Sequence, residues 1–303
     1  MLDTVLVTAF GNLAHGRAHE GLDDEQLHAL LQGIKGKQGG NGVATMILGM
    51  RIFGRHSDKL PISESLKATG REFLSRVKLE KGAQLDHMMA EVIKVAFDKP
   101  EREAQARAFC AKVIAALGGW EVSGWDLGDT ITALAKTFPV VVLDILVEQA
   151  VDEDGMGQTL FQDIRGNRTC PLDAITNDVL IAWATQKPET RYELLARVVR
   201  FSNAGDEEHA DGWSPAARML IDAAPESVKV LDTLYRRFTP NGWSGSLADV
   251  LATRMPLLEA LKHHPRADVS AWANAHALAY RVHVDRQRAV EAAEHRARDQ
   301  TFE

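Results

Sequence analysis

What most limits the fold of this chain is its punctuation. Again and again a Ser, Asp, Asn or Pro stands just ahead of apolar residues spaced three and four apart, the spacing of one helix face. Asp23 precedes Leu27, Leu30, Leu31 and Ile34. Asn41 precedes Met46, Ile47 and Met50, and Ser63 precedes Leu66, Phe73, Leu74 and Val77. Leu85, Met88, Met89, Val92, Ile93 and Ala96 recur at the same spacing. Pro100 opens an Ala-rich helix with Phe109, Val113, Ile114 and Leu117 inward, and Asp126 and Pro139 begin two more. In the second half the starts fall at Asn177, Pro188, Ser214-Pro215, Pro225, Ser244 or Ser246, and Pro265, while Pro256 must bend or end the helix it meets. The one β-branched run, Val140, Val141 and Val142, follows Phe138-Pro139 and reads as a buried helix. The expected class is all-α.

Of the 303 residues, 45% are hydrophobic and 25% charged, the balance of a folded globular protein of one or two domains. No apolar run approaches the ~18 residues of a membrane span, so no membrane partner is expected. Met1-Leu2-Asp3 puts no basic segment ahead of the apolar stretch, which argues against a signal peptide. Two cysteines, Cys110 and Cys170, make no disulfide framework, and the expected compartment is the cytoplasm. Cys110 reads as a buried, inert thiol; Cys170, next to Pro171, reads as a loop thiol open to solvent. A formal net charge of −7 argues against a general polyanion binder.

Trp183, Trp213 and Trp243 stand 30 residues apart, and Trp272 follows 29 later. Trp213 and Trp243 each precede a serine that can cap a helix, where an indole can staple the helix start. Trp183 and Trp272 lie between alanines inside helices and are expected to be buried. Helix pairs of about 30–45 residues are the units of α-solenoids, which bury their faces by stacking. Pro265 to Ala273 looks like the turn and second helix of a HEAT-type repeat. Gly155 and Gly157 break the chain, so two regions are expected: residues 1–154, a helical N-terminal region, and 155–303, a HEAT-like repeat region.

From about residue 140 onward the chain resembles the C-terminal helical-repeat region of large bacterial NTPase-type proteins, many of them associated with antiphage defence. The residues that carry the resemblance are Cys170-Pro171-Leu172-Asp173, the stretch Val179 to Trp183, Trp213-Ser214-Pro215, Trp243 to Leu247, and the ending Arg298 to Glu303. It implies a HEAT-like scaffold that contacts a partner, and it names no catalytic residue. The ATPase core such proteins carry has no counterpart in this sequence.

Candidate chemistry is sparse. Gly33 to Gly42 is glycine-rich, but Gln38 follows Gly36-Lys37 where a P-loop needs Ser or Thr, so an inter-helix loop is expected rather than a phosphate cradle. His15 and His19 stand four apart without the flanking pattern of a zinc hydrolase, and His263-His264 cannot share a helix face. Asp206 to Asp211 and Asp152 to Gly155 are acidic without calcium-loop spacing. No catalytic residue, metal site or cofactor is expected. Two surfaces are. Leu6 and Phe10 lie in an apolar first segment that can hold a protein partner: a separate NTPase subunit, another copy, or an upstream domain. Arg191, Arg197, Arg200, Arg236 and Arg237 form a basic stripe for phosphates if their helices line one face. The leading expectation is a non-catalytic scaffold or interaction module that binds a protein. A nucleic-acid-binding repeat protein is the alternative, and an enzyme whose site assembles only in space is a third.

Overall fold

A computed structural model describes residues 21–37, 39–151, 157–161, 170–203, 212–240 and 242–301. Among the described residues the chain is helical, with no strand beyond one isolated antiparallel bridge between Ser202 and Trp213. No described helix is long and apolar enough to cross a membrane. Two compact units form. The first holds the described residues to 161 with Cys170–Ile175; the second holds those of Thr176–Glu303.

In the first unit α1 (Asp24–Gly33) starts under a capping box. The Asp23 carboxylate accepts the Gln26 N–H at 2.8 Å, and the Gln26 side-chain oxygen accepts the Asp23 N–H at 3.1 Å. α2 (Gly40–Ser57) begins after Gly39, left-handed at φ 71°, so this glycine and not Asn41 is the cap. The Ser63 hydroxyl accepts the Leu66 N–H at 3.0 Å and starts α3 (Glu64–Arg76). Next come α4 (Ala83–Ala96), α5 (Glu103–Gly118) and α6 (Gly128–Thr137). Asp126 lies inside the 3₁₀ turn Gly124–Leu127, where its carboxylate accepts the Ser123 N–H at 3.2 Å, and does not start α6. The β-branched run is helical as expected: α7 (Pro139–Val141) continues as a π-helical turn over Val142–Val147, with Glu148 N–H donating to the Leu143 carbonyl at 2.9 Å.

Packing in this unit joins each helix to the next but one: α1 to α3, α2 to α4, α3 to α5, α4 to α6 and α5 to α7. α2 and α4 cross closely at Gly49, where a Cβ would stand 2.5 Å from that of Met88. Side-chain bonds follow the same order. Gln32 donates to Glu72 at 2.6 Å, His56 pairs with Glu91 at 3.3 Å, and His87 with Asp129 at 3.2 Å. The Lys112 ammonium on α5 reaches the Leu74 carbonyl at the end of α3 at 3.0 Å, where a cation suits the helix dipole. Phe97 meets Phe109 and Phe138 edge-on inside the core. Cys110 is buried as expected, and burial pushes its thiol up to about 12. Cys170 is buried too, against expectation, because the turn Pro171–Ala174 after it packs on α6.

The second unit contains α8 (Asn177–Thr185), α9 (Arg191–Val198), α10 (Pro215–Ala223), α11 (Ser227–Arg236), α12 (Leu247–Ala252), α13 (Met255–Leu261) and α14 (Ala267–Thr301). Ser214 and Ser246 cap α10 and α12 as expected, while α8 begins after Thr176, with Asn177 already helical. Pro188 falls in a turn before α9. α8 packs on α9 and α10, α9 on α11, and α14 on α11, α12 and α13. Trp183 and Trp272 are buried as expected. Trp213 is buried, with its indole N–H donating to the Leu257 carbonyl at 2.8 Å, whereas Trp243 stands exposed. The staple reading does not fit Trp243: the cap of α12 is Ser246, three residues on, and the ring is half exposed.

Candidate interaction surfaces

The five arginines of the expected stripe have separate duties. Arg191 is buried: its guanidinium lies 4.1 Å over the Trp183 ring and donates to the Trp183 carbonyl near the end of α8 at 3.0 Å. Arg237 donates to the Ala196 and Val199 carbonyls at 2.9 and 2.6 Å, closing α9. Arg266, which the sequence did not single out, does the same for α10 through the Ala224 carbonyl at 2.6 Å. Each places positive charge where a helix presents unpaired carbonyls. Arg197 pairs with Glu193 on its own helix at 2.9 Å, Arg200 is half-buried, and Arg236 is exposed. Leu6 and Phe10 lie outside the described residues, as do His15, His19, Asp206 to Asp211 and Asp152 to Gly155.

The glycine-rich stretch joins α1 to α2 as an inter-helix loop. Near the α2 N-terminus a Cβ on Gly42 would come 3.2 Å from a Glu80 carboxylate oxygen, so the protein's own anion sits by that helix start. A cleft beside it is lined by Asn41, Thr45, Lys78, Asp86 and Thr130. Asp86 is a buried carboxylate. Desolvation pushes its pKa up, against hydrogen bonds from the Asp129 amide and from Thr130 that pull it down. Both its oxygens accept backbone N–H groups at the start of α6. It caps a helix from across the fold. Glu91 is buried as well, but Lys94 and His56 outweigh its desolvation and hold it below the usual carboxylate range. His264, also buried, bonds Asp222 at 2.7 Å. Among the described residues, no group of three or more His, Cys, Asp or Glu is placed to hold a metal.

The surfaces that remain are apolar. α14 exposes Leu278 (68%) and Val282 (55%) on the side away from its buried Val269, Trp272, Ala273, Ala277, Tyr280 and Val284, and Val290 (46%) farther along the helix. The loop between α5 and α6 exposes Trp120 (74%) and Trp125 (46%). From sequence, the charged end of α14 from Arg281 onward reads as a self-solvated terminal helix rather than one that docks a partner, and the Trp120 loop is not singled out. The periodicity of α14 does not say which face is covered, and a tryptophan after Gly118-Gly119 reads as an ordinary helix stop. No family model, curated protein or solved structure matches the chain.

Proposed function

We propose that the chain is a non-catalytic α-solenoid scaffold that binds a protein partner along the outer face of α14. The observation that carries the reading is that helices of the first unit join the next but one and that side-chain ties in both units recur at similar separations. Lys112 reaches Leu74 across 38 residues, Trp272 reaches Asp232 across 40, and Arg237 reaches Ala196 across 41. Stacked helix pairs of that period are the solenoid pattern, and a stack commits its polar side chains to caps and ties while leaving outer faces for partners. α14 adds such a face. At 1.5 Å per residue its 35 residues span about 52 Å. Leu278 and Val282 stand one turn apart on it, flanked by Arg281 and Arg286.

The test is the paired substitution Leu278→Glu and Val282→Glu. The wild-type protein is expected to hold a specific partner, with an NTPase-type subunit the one the resemblance supplies, and the variant to lose it at an unchanged melting temperature. Light scattering on both proteins detects the case in which the partner is another copy. Capture that survives both substitutions removes α14 as the binding face, and collapse of the variant removes the premise that these side chains are free of the core.

A further inference from the structure

The loop after α5 contains a strained residue that helix packing does not require. α5 closes with two bonds: Trp120 N–H donates to the Leu117 carbonyl at 3.0 Å, and Glu121 N–H to that of Ala116 at 2.9 Å. This closure needs a left-handed residue at the position Trp120 occupies, and Trp120 adopts it with φ 58°. Glycine takes that conformation without strain, and Gly118 and Gly119 stand immediately before, so ending the helix one residue earlier would put glycine in place. Burial does not offset the strain, because the indole is 74% exposed. Strain kept at an exposed position points to a use for the side chain.

The charges around it indicate what that use is. Trp120 is followed by Glu121, and the exposed Trp125 by Asp126. Between Lys112 and Lys136 the charged residues are Glu121, Asp126 and Asp129, with no Lys or Arg among them. A cation reaches the loop from elsewhere in the fold: the Lys78 ammonium stands 2.9 Å from the Glu121 carboxylate, with both side chains open to solvent. A flat aromatic face next to a carboxylate is the chemistry that holds a guanidinium or ammonium group. We propose that this loop docks a basic peptide segment of a partner protein, with an Arg or Lys side chain against the Trp120 indole and Glu121 and Asp126 as counter-charges. The site uses none of the α14 residues, and neither reading depends on the other.

The test titrates the full chain with an acetylated, amidated peptide of alternating Gly and Arg, and with the same peptide carrying Glu for Arg. The Arg peptide is expected to bind and the Glu peptide not to. Trp120→Gly is the informative variant because it leaves the net charge unchanged and relieves the left-handed strain. It is expected to weaken the Arg peptide about tenfold while raising the melting temperature. Glu121→Gln is expected to weaken it severalfold. Equal binding of the Arg peptide by wild type and Trp120→Gly would reduce the interaction to general attraction by a negative protein and overturn the proposal. Equal binding of the Glu peptide overturns it as well, and so does a Trp120→Gly protein that melts below wild type, since the indole would then be a structural element.

Discussion

The carboxylate of Asp86, on α4, accepts the backbone N–H of Thr130 at the start of α6 at 2.8 Å, across 44 residues of sequence. Its other oxygen accepts the Asp129 N–H at 2.9 Å. One helix thus caps another, as the Glu291 carboxylate of α14 also does for α12 by accepting the Ala248 N–H at 3.0 Å.

Asp86→Ala is expected to cost about 2 kcal/mol at pH 7, because two amides lose their acceptor. The cost depends on pH in a direction the burial of Asp86 dictates. Desolvation raises its pKa, so the native state binds the proton more tightly than the unfolded chain. The stability it contributes is complete below the ordinary value of 3.8 and declines as pH rises through the raised one. Urea unfolding of wild type and variant at pH 4 and pH 7 should give the larger difference at pH 4; a difference that grows toward pH 7 would sink this account.

Gly49→Ala and Gly54→Ala lie in one helix and should move stability in opposite directions. Helix propensity alone favours alanine at both by about 1 kcal/mol. At Gly54 nothing stands within 4 Å of the new methyl, and the gain should be realised. At Gly49 the methyl would meet Met88 Cβ at 2.5 Å and its Cα and carbonyl oxygen at 2.8 Å, forcing α2 and α4 apart at a cost of about 1–3 kcal/mol. Thermal melts of the two single variants read the difference directly.

Among the arginines, Arg191→Lys should cost about 1–2 kcal/mol, since an ammonium cannot both lie flat on Trp183 and keep the guanidinium's bonds to the Trp183 carbonyl and Gln186. Exposed Arg236→Ala should stay within about 0.5 kcal/mol of wild type. Equal effects in urea titrations would mean that Arg191 is not the structural residue its burial makes it.

The regularly spaced tryptophans should separate by what they touch. Trp183→Ala removes a buried ring and should cost about 3–5 kcal/mol. Trp213→Phe keeps most of the volume but strips the Leu257 carbonyl of its donor, for about 1 kcal/mol. Trp243→Ala, at an exposed ring, should change the melting temperature little. A large loss at Trp243 would revive the staple.

Helix positions were legible in the sequence because their causes are local. Asp23, Ser63, Ser214 and Ser246 each accept an N–H three residues on, at Gln26, Leu66, Ala217 and Asp249, and an apolar stripe then carries the helix forward. The start of α2 escaped that reading because a left-handed glycine needs no polar side chain, and the start of α6 escaped it because its cap comes from α4. The candidate surfaces were less legible still. The arginine stripe assumed that periodic basic residues face outward, yet Arg191 and Arg237 turn inward to close helices.

By itself the sequence determined that this protein is helical and where most of its helices begin. Both follow from propensities and bonds that act within one turn of the chain. Tertiary structure decided which helix meets which, that Gly49 is a crossing point, that Trp213 is covered and Trp243 is not, and that Trp120 is held strained in the open. Those outcomes rest on contacts between residues that share no turn of helix, such as Asp86 with Thr130 or Trp213 with Leu257. Side-chain spacing within one helix places a residue on a face, but the partner that covers that face or leaves it bare is supplied by another part of the chain.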